Sequence, residues 1–121
     1  MLYAEALNEL NRTSESYEYI NKVRRRVGMP DLQNSTVFTG IGSDKEKMKF
    51  QIMHERTCEL GGESTRWFDL ERGGMFENAA NSSWLKNRDA DFDNFTIGVN
   101  NRFPIPYREI SLVPITQNPG Y

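Results

Sequence analysis

Cysteine and histidine are almost missing from this chain: Cys58 and His54 are the only copies of each among its 121 residues. A single thiol forms no internal disulfide, so no covalent staple supports the fold, and the redox compartment stays open. A single imidazole starves any Ser-His-Asp or Cys-His machinery, because His54 would have to serve every such site and lies four residues from Cys58 on one segment. An excess of charge is lacking too. Fifteen Lys+Arg against seventeen Asp+Glu give a net charge of -2, which provides no field for nucleic acid or an anionic membrane. No apolar run approaches the ~20 residues that span a bilayer, and no glycine loop matches a phosphate-binding fingerprint. Apolar residues make up only 37% of the chain, with mean hydropathy -0.69, so the core must be built economically. The length suits one domain over residues 1–121.

What is present is mainly helical pattern. Leu2, Tyr3, Ala6, Leu7 and Leu10 recur at helical spacing until Asn11-Arg12-Thr13-Ser14 interrupts them. Thr13 or Ser14 is placed to cap a second helix, with Tyr17, Ile20, Val23 and Val27 on one face and Gly28-Met29-Pro30 as its stop. So short a link predicts an αα-hairpin, equivalent to one tetratricopeptide-like repeat. Met1 leads straight into the first helix without the basic and apolar regions of a signal peptide, which reads as a cut N-terminus. The apolar stripe of that helix exceeds what one partner covers, so the isolated chain is expected to self-associate through it.

Residues 31–42 read as loop, after which Ser43-Asp44-Lys45-Glu46 fits a capping box for a third helix reaching Leu60. Gly61-Gly62 ends it, and residues 63–72 form a short fourth helix that stops at Gly73-Gly74. Residues 75–101 look irregular, and Pro104, Pro106, Pro114 and Pro119 restrict residues 102–121 to extended and turn structure. The expected fold is therefore mainly α: a tetratricopeptide-like hairpin, two further helices, long loops and a Pro-rich extended tail.

Candidate chemistry is sparse. His54-Glu55-Arg56-Thr57-Cys58 is close to the helical His-Glu-x-x-His of zinc peptidases, but Cys58 stands at the second ligand position, and Glu59 or Glu63 would have to complete the set. Asp89-Ala90-Asp91-Phe92-Asp93 opens like a calcium loop, yet Asn94 replaces the required glycine and Asn100 the closing glutamate. Neither motif predicts a metal, and nothing implies a cofactor or an enzyme. Lys22 and Arg24-Arg25-Arg26 read as solvated charges favoured by a helix C-terminus. Trp67 reads as packed with Phe68 and Leu70, whereas Trp84 lies in a polar stretch where a ring beside amides could meet a sugar. Glu55, Arg56 and Glu59 read as an ion network on their helix.

In combination and order, several stretches resemble the SusD/RagB family. They are Tyr3-Ala4-Glu5-Ala6, Ile20 to Gly28, His54-Glu55-Arg56 with Glu59-Leu60, Gly62 to Leu70, Phe103-Pro104-Ile105-Pro106, Glu109-Ile110 and Gln117 to Tyr121. The resemblance implies the C-terminal part of a much longer, mostly helical lipoprotein. That protein would bind glycans at the outer face of an outer membrane, as a lid on a SusC-like TonB-dependent transporter. It also implies that the best-matching residues are structural: Glu55, Arg56, Glu59, Arg66 and Asp69 as paired charges beneath the Trp67 packing. The alternative is a helical protein-interaction module without a sugar contact of its own.

Overall fold

A computed structural model describes residues 1–77, 79–87 and 89–121, with the side chains of Ala79, Ala80 and Trp84 outside the description. Six α-helices lie among the described residues: α1 (Leu2–Glu9), α2 (Thr13–Arg26), α3 (Lys45–Glu59), α4 (Arg66–Arg72), α5 (Ala79–Lys86) and α6 (Tyr107–Leu112). Short 3-10 turns occupy Leu32–Asn34 and Ala90–Asn94, and none of the helices is long and apolar enough to cross a membrane. Two compact units divide the chain, Met1–Asp69 and Leu70–Tyr121.

In the first unit α1 and α2 form the hairpin. Asn11 takes a left-handed φ of 61°, which lets Arg12 N–H donate to Leu7 O at 2.9 Å and closes the end of α1. Thr13 begins α2, and its hydroxyl donates to Asn8 Oδ1 at 2.7 Å instead of capping the helix. The helices approach closely because small residues face each other: Ala4 and Ser16 are both fully buried, and Ser16 Oγ donates to Ala4 O at 2.8 Å. Ala4, Ile20, Leu32, Ile41, Met48 and Ile52 make the apolar core, with Tyr17, Tyr19 and Phe38 packed on it. Burying a side chain such as Ile20 completely is worth about 1.5–3 kcal/mol.

The inner face of α2 departs from the stripe expected of it. Thr13, Ser16, Ile20, Asn21 and Arg24 are buried, while Val27 is exposed. Polar ties replace apolar contact along this face: Asn21 accepts from Leu32 N–H at 2.8 Å and donates to Gln33 at 2.9 Å. α3 enters through a cap one residue later than expected, because Asp44, not Ser43, accepts from Lys47 N–H at 3.1 Å. Asn8 fastens α1 to this end of α3 by donating to Lys45 O at 2.9 Å.

The second unit contains order where loop was expected. Met75, Phe76 and Leu85 are buried, the Phe76 and Phe95 rings stand 4.8 Å apart, and Asn81 donates to Gly74 O at 2.8 Å. Leu85 of α5 is buried although its segment shows no clear helical period in the sequence. The tail likewise holds a helix: Pro106 is the N-cap of α6, where its missing N–H costs nothing, and the helix ends before Pro114. Four prolines therefore bracket a short helix instead of forbidding one.

Candidate functional site

The densest chemistry in the first unit surrounds α3. Its last turns project alternately inward and outward, as a 3.6-residue period requires. Glu55 and Arg56 are buried, whereas His54, Thr57 and Cys58 are exposed.

Glu55 reaches α2. Its carboxylate pairs with Arg24, and Oε1 also accepts from Gln51 Nε2 at 2.9 Å. Arg24 is 2% exposed and donates through Nε to Pro30 O at 2.8 Å, so this member of the basic cluster departs from the solvated charge expected there. Position explains it: Arg24 follows Ile20 by four residues and shares its inward face. Arg25 and Arg26 do turn outward, to Asp31 and Glu59, each at 2.5 Å.

Arg56 makes the second buried pair. Its guanidinium holds Asp69 of α4 through two contacts, Nε to Oδ2 at 3.0 Å and Nη2 to Oδ1 at 2.8 Å. This fork geometry is the strongest form of the interaction and fixes the approach of α4 to α3. Arg66 is half-buried and donates to Thr57 Oγ1 at 2.6 Å. Of the charges expected to form one network, Glu55 pairs with Arg24 of α2, Glu59 with Arg26, and Arg56 with Asp69 of α4. Trp67 is half-buried, and Phe68 is 67% exposed, so Phe68 does not share the burial of Leu70.

Over the Arg56–Asp69 pair lies a cavity of about 210 Å3, lined by Thr57, Leu60, the Gly61-Gly62 turn, Ser64 and Arg66 among others. Ligand pockets for whole small molecules usually hold about 300–1,000 Å3, so this one suits a single polar group rather than an oligosaccharide. Arg56 and Asp69, which pair with each other, are among its lining residues.

Glu55 and Asp89, from the two metal-like motifs, have structural uses. Glu55, the base of a peptidase reading, is turned away from His54 and committed to Arg24. Asp89 caps the 3-10 turn by accepting from Asp91 N–H at 3.0 Å, which gives the acidic run a structural use. No group of three or more potential metal ligands occurs among the described residues. Trp84 falls on α5, but its side chain lies outside the described residues. Gln51 and Arg24 were missed from sequence, although the Thr13, Ser16, Ile20, Arg24 spacing marks one helical face.

Compared with known proteins, residues 1–121 match the SusD family model along their whole length. The chain belongs to the SusD family. Among curated relatives, SusD-like protein P25 of Formosa agariphila is 31% identical over 120 residues, covering 95% of this chain and 21% of that protein. SusD-like protein P38 of the same organism is 36% identical over 73 residues, covering 60% of this chain and 14% of that protein. SusD-like protein P2, also from it, is 28% identical over 126 residues, covering all of this chain and 24% of that protein. This SusD-family chain therefore spans less than a quarter of the length of these relatives. No solved structure matches it.

Proposed function

We propose that this chain is the C-terminal region of a cell-surface, lipid-anchored glycan-binding protein. Its role is to hand oligosaccharides to a SusC-like TonB-dependent outer-membrane transporter. The observation that carries this reading is the family match over residues 1–121. The buried charges of α3 pair with partners on α2 and α4, which suits a structural role for them within a binding protein. In this reading Arg56, Arg66, Trp67 and Asp69 hold the α3–α4 corner in shape, Glu55 and Glu59 tie α3 to α2, and most of the sugar-contacting surface belongs to the longer protein. Trp84 is the ring in this chain proposed to meet a glycan.

The test is a glycan array carried out in parallel on the longer protein, on residues 1–121 and on a Trp84→Ala variant. Binding by the longer protein alone supports the placement of the sugar site elsewhere. No binding to any glycan by the longer protein overturns the reading.

A second reading is favoured by one specific feature. Leu2 and Tyr3 of α1 and Leu10 at its C-terminal end are 61%, 56% and 67% exposed, an apolar strip suited to another helix. On that reading the hairpin is a protein-interaction module, and pull-down of the transporter by residues 1–121 without any sugar requirement would favour it.

A further inference from the structure

The turn between α3 and α4 lends the cavity backbone more than side chain. Gly61 and Gly62 both line it, Gly62 with a left-handed φ of 83°, and Ser64 lines it with a left-handed φ of 59°. Glu63 between them does not share that hand, and its N–H donates to Leu60 O at 3.1 Å. Backbone that alternates in hand turns successive N–H groups toward one side, which makes a concavity for an anion. Ser64 is the informative member, because a left-handed φ is uncommon for a residue with a Cβ. Such strain concentrates where the backbone serves a ligand.

Other lining residues carry charge. Arg66 Nη1 donates to Thr57 Oγ1 at 2.6 Å, and Thr57 donates in turn to Met53 O at 2.8 Å, so a chain of neutral partners positions the guanidinium. Arg56 and Asp69 line the cavity as well, holding each other through two contacts. The ionised lining residues are therefore two arginines against one aspartate, an excess of one positive charge. We propose that this cavity receives one singly charged oxyanion, a carboxylate or a sulfate ester, carried on a sugar. This rests on the glycan-binding reading above and gives it a substrate class, an acidic glycan.

The cavity's charge, donors and size agree with such a group. A guanidinium presents five N–H donors in a planar fork that matches the paired oxygens of an oxyanion. One excess positive charge balances one negative charge, whereas a phosphate monoester, at about −1.5 to −2, would be left undercompensated. A volume of about 210 Å3 admits the charged substituent of one sugar and keeps the rest of a glycan outside. Leu60 and the two glycines give the sugar's C–H surface an apolar neighbour. A neutral sugar answers none of the charge, so the site discriminates against it.

The experiment follows backbone amide shifts of isotope-labelled residues 1–121 during titration with glucuronate, a glucose sulfate ester, glucose, acetate and inorganic sulfate. The amides of Gly61, Gly62, Ser64 and Thr65 should shift together and saturate with glucuronate, with the sulfate ester or with both, which separates the two sources of charge. Glucose should leave them unmoved. Arg66→Gln should weaken binding at least about tenfold, as loss of a charge-assisted hydrogen bond implies, and Arg66→Lys should recover part of it. Arg66 is half-buried, so both variants should keep a cooperative melting transition, which separates a lost contact from a lost fold. Glucose bound as tightly as glucuronate, no saturable shift with either acidic sugar, or an unchanged affinity in Arg66→Gln would overturn the site. Acetate or inorganic sulfate bound as tightly as the acidic sugars would mean an adventitious ion only and overturn it too. The glycan-binding reading fails separately: a longer protein that binds neutral glycans while these amides stay still keeps that reading and sinks this site, whereas a longer protein that binds no glycan sinks the reading itself.

Discussion

Arg24 of α2 and Glu55 of α3 form an ion pair buried at both ends, with 2% and 9% of their side-chain surfaces exposed. Neither charge is left to the other alone, since Gln51 donates to Glu55 and Arg24 also donates to the carbonyl of Pro30. Removing one member of such a pair strands the other in a low-dielectric interior, at about 3–5 kcal/mol. Glu55→Ala should therefore lower unfolding free energy in urea by about that amount. Arg24→Met with Glu55→Leu should recover most of the loss, because apolar replacements of similar volume leave no orphan charge. A single variant as stable as wild type would show that water reaches the pair.

The Arg56–Asp69 fork gives a contrast within one corner of the chain. Both its members are less than a tenth exposed, whereas Arg66 is half-buried and its bond to Thr57 is open to solvent. Arg56→Ala should cost about 3–5 kcal/mol, and Arg66→Ala on the order of 1 kcal/mol. Equal losses in a denaturant titration would contradict the different burial of the two guanidinium groups.

Asp44 supplies a pH-dependent contribution. The backbone N–H of Lys47, donated to its carboxylate at the start of α3, holds its pKa below the ordinary 3.8, with the nearby Lys47 charge acting in the same direction. A carboxyl whose folded value is depressed stabilises fully above its unfolded value, and that contribution fades as pH falls through the folded value. Helix stability should thus decline from about pH 4 downward. Asp44→Asn keeps an acceptor for the cap and should flatten this part of the profile, as melts between pH 2 and 6 would reveal.

The α1 strip yields a test of association. Apolar surface returns about 25 cal/mol per Å2 on burial, so a few hundred Å2 shared between two copies is enough for weak pairing. Sedimentation should show concentration-dependent association of residues 1–121, abolished in a Leu2→Glu, Leu10→Glu variant. A strictly monomeric wild type would show that the strip is tolerated in water.

The hairpin, α3 and α4 were legible because periodicity and stop residues agreed: Asn11, Gly28 and Gly74 all sit in left-handed conformations just past helix ends. The inner face of α2 was not. An arginine is ordinarily read as solvent-facing, and its burial here rests on Glu55, thirty-one residues away, together with the carbonyl of Pro30. α5 was illegible for a different reason, since Asn81, Ser82 and Ser83 carry weak helix propensity and the segment is tied to the preceding turn by the Asn81 bond to Gly74 O. The contact of Cys58 with His54 was visible as spacing, but its 3.7 Å separation depends on rotamers, which sequence does not supply.

The tail is closed by a side chain acting as a strand. Gln117 Oε1 accepts from Ile105 N–H at 2.8 Å while its Nε2 donates to Ile105 O at 2.9 Å, so one amide satisfies both backbone groups of a residue between two prolines. The same oxygen accepts from Asn118 N–H at 2.8 Å, and Asn118 Nδ2 donates to Phe103 O at 2.7 Å. Each such bond contributes about 0.5–1.5 kcal/mol net, and Pro104 and Pro106 can donate none of their own. Gln117→Ala should therefore free residues 102–106 locally without unfolding α1 to α3, seen as faster amide exchange at Ile105 and earlier proteolysis of the tail. Gln117→Glu separates the two halves of the contact: its carboxylate still accepts from Ile105 N–H but faces Ile105 O with no proton to give. If the paired geometry holds the tail, Gln117→Glu should loosen it nearly as much as Gln117→Ala at neutral pH and regain protection as the carboxyl is protonated. Unchanged exchange at Ile105 in both variants would assign closure of the tail to Asn118 and the prolines instead.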